Sequence, residues 1–288
     1  MTDLLQALAD GVMLGATYAL LGLGFTLIFG VLRRLNLAFG PTILVGIYCG
    51  SLWQVARPGT GLVVLAVTVL GAVAAGFYVE RCSFSALARQ APVVSMISSF
   101  AVAMQLQELV TLIAPSRTMP YPAPAWLPSV ELGPVLLRPD GLMMWGGAAL
   151  LIAALFLLLY RTRFGVAVRA VTDSAEGAAL MGVNVAAAGT QAFLIASAVG
   201  GAAGALIAAS QAQVTPYFGL WATVKGLTAM LLGGAGSLPG AVLGGLVLGV
   251  AETEALTFWG GQWRDLVAYA LLFAVAAARG RARGGERS

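Results

Sequence analysis

The groups in this chain best placed to act on another molecule are backbone amides and carbonyls rather than reactive side chains. The run Leu232-Gly233-Gly234-Ala235-Gly236-Ser237-Leu238-Pro239-Gly240-Ala241, followed closely by Gly244 and Gly245, breaks a stretch from Gly226 to Ala251 that carries no charge. In a soluble protein such a loop would sit among polar neighbours. At membrane depth, irregular backbone is stable only where protein packs on it or a water-filled cavity lines it. The break therefore marks either a transport path or a tight helix crossing. The steps Gly236, Gly240 and Gly244 have the small-xxx-small spacing that lets helices approach closely, and Gly11 with Gly15 and Gly46 with Gly50 repeat it.

Side-chain chemistry is sparse by comparison. The chain has no histidine, which removes His-based catalysis and His metal ligation. Cys49 and Cys82 are two lone cysteines with neither disulfide nor metal spacing. No metal site and no catalytic residue is expected. The sole lysine, Lys225, follows no phosphate-binding glycine loop, so this chain does not hydrolyse ATP by that route. Glu108 is the main acid inside an apolar span, close to one end, where a solvated or snorkelling position competes with a functional one. Glu252 and Glu254 are expected to face water or headgroups. Asn36, ahead of Gly40-Pro41, forms a polar, flexible entry to the second span, as a helix cap or as part of a path. No chain of intramembrane carboxylates suits proton coupling, so a transporter of this kind needs its energy from elsewhere.

The elements that must position these groups follow from composition. The chain has 288 residues, 59% of them hydrophobic and 10% charged, with a mean hydropathy of +0.90. Soluble domains are about 25% charged. Repeated charge-free runs of about 20 residues define an all-α polytopic membrane protein. We read spans at 11–32, 35–55, 59–79, 92–114, 141–160 and 185–211. A region at 221–256, split at the glycine break into two shortened helices, and a short last span at 262–278 complete about eight transmembrane helices, the pair near the C-terminus being glycine-broken or re-entrant. The proline-dense segment 115–140, with Tyr121 and Trp126, reads as an external loop. The N-terminus has no basic residue and is not a signal peptide.

Orientation follows from the basic residues. Arg33, Arg34, Arg81, Arg89, Arg161, Arg163, Arg169, Arg279, Arg281, Arg283 and Arg287 fall on one face; Arg57, Arg117, Arg138 and Arg264, with Lys225 near them, fall on the other. The richer face is cytoplasmic. That puts the N-terminus outside and the C-terminus inside, in a single transmembrane domain over 1–288. The net charge of +4 is explained by span ends; lipid is the expected contact and nucleic acid is not.

The cytoplasmic segment 161–184 is long for a helix connection, which commonly takes about 2 to 8 residues. Asp173, three residues before Glu176, resembles a capping box, and Gly182 suits the position after a helix end. A short, capped helix carrying Ala178 and Ala179 is expected there. It either docks a partner or lies on lipid.

Taken together, these residues resemble the permease subunits of branched-chain amino acid ABC importers. The resemblance rests on Arg169-Ala170 to Asp173 with Ala178-Ala179 and Gly182, on Leu232-Gly233-Gly234-Ala235-Gly236-Ser237 with Pro239-Gly240-Ala241, on Gly15-Ala16-Thr17-Tyr18-Ala19-Leu20, and on Asn36-Leu37-Ala38. It covers most of the chain. It implies a helical subunit of a bacterial inner-membrane importer, without a cofactor of its own, that pairs with a second permease, two cytoplasmic ATPases holding ATP and Mg, and an external solute-binding protein. The solute would be a branched-chain or related amino acid; related permeases serve urea, amides or aromatic acids. The resemblance implies ATPase coupling through Arg169, Asp173, Ala178, Ala179 and Gly182, and a path or broken helix at Asn36, Gly40, Gly233, Gly234, Gly236, Ser237 and Gly240. Phe39 stands where family members often carry histidine. The competing classes are an ion-coupled secondary transporter, which would also have broken helices, and a channel or structural subunit.

Overall fold

The structure is a computed structural model, and it describes residues 2–57, 61–114, 118–123, 130–132 and 135–285. Much of the proline-dense loop, with Trp126 and Arg117, lies outside the described residues. The chain order is α1 (Thr2–Leu32), α2 (Phe39–Ala56), α3 (Gly61–Val79) running on through a π-helical turn (Glu80–Ser85), and α4 (Pro92–Ile113). Strands β1 (Met119–Pro120), β2 (Val130–Leu132) and β3 (Val135–Leu137) precede α5 (Pro139–Arg161), α6 (Arg163–Asp173) and α7 (Ala175–Leu180). Then come α8 (Val185–Gln211), β4 (Gln213–Val214), α9 (Phe218–Gly233), α10 (Leu238–Trp259) and α11 (Gly261–Gly285).

Among the described residues seven helices are long and apolar enough to cross a bilayer; α9 is apolar but shorter. A helix apolar all round belongs in a core or a bilayer, and burial separates the two cases. α1 is the central post: Tyr18, Ala19, Leu20, Leu21 and Leu23 have no exposed surface. The peripheral helices α3, α4 and α5 instead leave Leu70, Ile97, Leu112 and Leu150 more than half exposed, as lipid-facing side chains should be.

The glycines report how the helices run. Gly11 faces Val250 and Gly15 faces Leu246, so α1 and α10 are antiparallel. Gly46 meets Ala72 and Gly50 meets Val64, which sets α2 against α3. Gly201 meets Ala72 and Gly76 meets Ser197, which sets α3 against α8. Gly240 meets Gly233, so α9 and α10 form a hairpin. The chain thus crosses back and forth between an arginine-rich face, where α1 ends, and the opposite face. There β4 pairs with β1, Met119 opposite Val214, and ties the 118–123 segment to the end of α8.

Three expectations change. The second span starts at Phe39, not Leu35. Residues 33–38 form an irregular link instead, with Arg34 donating to the carbonyls of Leu87 (2.8 Å), Ala88 (2.7 Å) and Gln90 (2.9 Å). The glycine break joins one short helix to one full-length helix, since α9 has 16 residues and α10 has 22. Segment 161–184 holds two helices rather than one. Ser174, not Asp173, caps the second: its Oγ accepts from the Gly177 N–H at 3.0 Å. Asp173 instead closes α6, whose own cap is Thr162, accepting from the Gly165 N–H at 3.2 Å.

Candidate functional site

The glycine turn lies at the arginine-rich end of the helices. α9 stops at Gly233, and Gly234 and Gly236 take φ of +100° and +94°, where a β-carbon is strained. Ser237 then starts α10 by accepting from the Gly240 N–H at 3.2 Å, with Pro239 in the first turn. Gly233 and Gly240 lie backbone to backbone, and Gly244 packs on the Ala229 carbonyl. Gly236 has open space beside it.

That open space is part of a cavity of about 300 Å³. Its walls bring together the two motifs that the sequence placed about 60 residues apart. Arg169 and Asp173 of α6 line it on one side and Gly236 and Ser237 of the turn on the other, with Thr26 and Gly30 of α1 between them. The Arg169 guanidinium donates to the Leu159 carbonyl at the end of α5 and lies over the Tyr160 ring at 4.9 Å. Asp173 has no ion pair or hydrogen-bond partner among the described residues.

The remaining candidate residues sit elsewhere. Asn36 is 1% exposed, and its Oδ1 accepts from the Ala38 N–H at 3.0 Å. Gly40 donates its N–H to Thr223 Oγ1 at 3.1 Å and lies against the Gly219 carbonyl. The first turns of α2 and α9 therefore touch and diverge in opposite directions. Phe39 and Ile43 contact Gly200, in the middle of α8, which puts this meeting of helix ends at mid-depth. Phe39 itself is fully buried, its ring on Phe25 with centroids 4.7 Å apart, so this position carries no polar role. In segment 161–184 Ala178 turns inward, 4% exposed, while Leu180 and Met181 are 89% and 85% exposed. Gly182 ends α7 at φ +83°, as expected for the position after a helix end. Glu108 is exposed, in line with a solvated or snorkelling place.

One constellation escaped the sequence. Glu252, expected at water or headgroups, has no exposed surface. Its carboxylate accepts from Lys225 Nζ at 2.6 Å and from the Tyr18 hydroxyl at 2.9 Å, with Arg264 Nε at 3.4 Å. Lys225, 1% exposed, also donates to Asp265 at 2.9 Å. Two cations and two anions from α9, α10 and α11 thus neutralise one another beside α1. The cluster is internally satisfied, which suits a structural brace rather than a ligand site.

A predominantly helical, multi-pass subunit with a short helix starting at mid-depth and two small helices on the arginine-rich face has the architecture of a transport permease. The solved structures with this fold include PsaBC from Streptococcus pneumoniae in complex with Fab (11% identity, TM-score 0.53, 96% of this chain and 91% of that one). A metal-chelate type ABC transporter in an inward-facing conformation also matches (16% identity, TM-score 0.54, 96% and 85%). At the sequence level, residues 7–276 match the model of the branched-chain amino acid transport system permease component. The chain belongs to that family. It is 31% identical over 283 residues to the high-affinity branched-chain amino acid permease LivH of Salmonella typhimurium, covering 94% of this chain and 92% of that protein. It is 30% identical over 285 residues to BraD of Pseudomonas aeruginosa, with the same coverage. A fructose import permease of Rhizobium meliloti, FrcC, shares 34% identity over 107 residues, 35% of this chain. The protein is thus a permease subunit of an ABC importer, a transport component and not an enzyme, and it needs no cofactor of its own.

Proposed function

We propose that this subunit conducts branched-chain amino acids into a bacterial cell across the inner membrane. The observation that carries this reading is the likeness to LivH and BraD over nearly the whole chain. It works with a second permease, two ATPases holding ATP and Mg on the cytoplasmic side, and an external solute-binding protein. The whole chain, 1–288, is one permease domain. The N-terminus is external and the C-terminus cytoplasmic, so 161–184 is the coupling segment and 115–140 an external loop. Exposed Leu180 and Met181, beside Ala179 and Gly182, support α7 as the ATPase contact, since an exposed apolar pair at a helix end suits a protein groove. Arg169 and Asp173 belong to the same coupling segment, facing the cavity; Ala178 supports it from inside. Gly236 and Ser237 flank the inner end of the path. Asn36, Gly40, Gly233, Gly234 and Gly240 hold the crossings and the turn that shape its walls.

The test is uptake by the complete transporter in proteoliposomes with each candidate solute and its binding protein. ATP-dependent accumulation of leucine, isoleucine or valine is expected, insensitive to collapse of the proton gradient. Accumulation of a sugar instead would favour the class of solute that the fructose permease relative carries, and gradient-driven uptake would favour a secondary transporter.

A further inference from the structure

The cavity between α6 and the glycine turn has features that coupling alone does not require. Arg169 and Asp173 lie four residues apart on one helix face, a spacing at which such a pair can join. Here they do not pair. Arg169 is drawn to the end of α5 by the Leu159 carbonyl and the Tyr160 ring. The cavity is therefore lined by a cation and an anion that leave each other uncompensated. α10, a 22-residue helix, begins at Leu238 on the same cavity, and a helix N-terminus favours negative charge. Thr26, which also lines it, is 1% exposed and its hydroxyl has no partner. A buried polar group without a partner is costly, so a ligand hydrogen bond there would be favourable. Leu27, Val168, Leu238 and Pro239 supply an apolar part of the wall, beside Thr172 and Ser237. At about 300 Å³ the space is at the small end of ligand sites, which run from about 300 to 1,000 Å³.

We propose that this cavity binds a free amino acid with an aliphatic side chain from the cytoplasmic side, as a product-sensing site. The carboxylate lies toward Arg169 and the start of α10, the ammonium toward Asp173, and the side chain against Leu27, Val168 and Leu238. Such a ligand ties the coupling segment to the glycine turn. It opposes their relative motion, so import slows as product accumulates. The choice of amino acid rests on the function proposed above; the site itself rests on the cavity.

Two measurements test it on the complete transporter. The first is equilibrium binding of radiolabelled leucine in nanodiscs, without ATP or binding protein. The second is the ratio of ATP-driven leucine uptake into leucine-loaded and empty vesicles, a ratio in which changes of basal rate cancel. Wild type should bind saturably and give a ratio well below one. Asp173→Asn should weaken binding about tenfold or more, the loss of one charge-assisted contact, and bring the ratio close to one. Thr26→Val, equal in shape, should move both readouts the same way by a smaller factor. A wild-type ratio of one with normal leucine uptake overturns the site and leaves the proposed function standing. Inhibition that persists unchanged in both variants also overturns it, because product then acts elsewhere, on the ATPases for instance. If no branched-chain amino acid is imported, the proposed function fails, and absence of saturable leucine binding in nanodiscs then rejects the site as well.

Discussion

Lys225→Met removes a charge from the least exposed ion pair among the described residues and nearly keeps the length of the side chain. Glu252 would lose its 2.6 Å partner while remaining fully enclosed. Removing one member of a buried pair costs about 3–5 kcal/mol, because the remaining charge is stranded. Two contacts soften the loss: the Tyr18 hydroxyl at 2.9 Å, and Arg264 at 3.4 Å with a side chain 31% exposed. The low end, about 3 kcal/mol, is therefore expected, which is more than a hundredfold in the folded ratio at about 1.4 kcal/mol per tenfold. Adding Glu252→Gln removes the stranded charge, keeps acceptors for Tyr18 and Arg264, and leaves Arg264 and Asp265 to balance each other. The double variant should recover at least half of the loss. The assay is a double-mutant cycle on thermal unfolding of the detergent-solubilised protein, read by protease resistance. Full stability of Lys225→Met, or a double variant less stable than the single, would refute the brace.

Three further outcomes follow from the geometry. Gly15→Val and Gly11→Val should each prevent accumulation of folded protein, since the first new carbon would lie 2.8 Å from the Leu246 and Val250 α-carbons respectively, whereas Gly146→Ala, with nothing within 4 Å, should be silent in yield and melting temperature. Met181→Glu should reduce co-purification of the ATPase several-fold without changing membrane insertion, while Ala178→Glu should destabilise the permease itself by about 1–3 kcal/mol through overpacking and a buried charge, read by melting temperature. In a variant whose Cys49 and Cys82 are replaced by serine, a cysteine near residue 2 should label with an impermeant reagent from outside and one at residue 288 only from inside; exchanged labelling would reverse the orientation proposed for the coupling segment, and labelling of both from one side would refute the number of crossings.

The spans were legible because lipid and core both demand apolar residues, and the charges between them had to fall at the ends. The last span's neighbourhood was not. Lys225, Glu252, Arg264 and Asp265 share no local period, and only the packing of α9, α10 and α11 brings them together, so each read alone looked like an interfacial charge. The mid-depth break lies at the other end of α9 from the glycine motif. Glycine spacing draws the eye to Gly233–Gly240, yet those residues make a turn at the arginine-rich face. The true meeting of helix ends, between Gly40 and Gly219, has no signature beyond two glycines 179 positions apart. Likewise Ser174 took the cap from Asp173 because the chain turns extended at Ser174, with ψ of 111°, between two helices that the periodicity of so short a segment does not separate.

The glycine seam between α1 and α10 has a kinematic consequence. At Gly245 and Gly249 the facing backbone of α1 occupies the volume that a methyl group would need. A slide of one residue, about 1.5 Å, would drive the side chains flanking these glycines into that backbone. The two helices therefore cannot shear, and they turn together as a single lever. Whatever motion admits a solute on one side and releases it on the other has to pivot outside this pair. The backbone offers two joints adjoining the lever: the turn at Gly234 and Gly236 where α9 enters, and Gly260, at φ +92°, where α11 leaves.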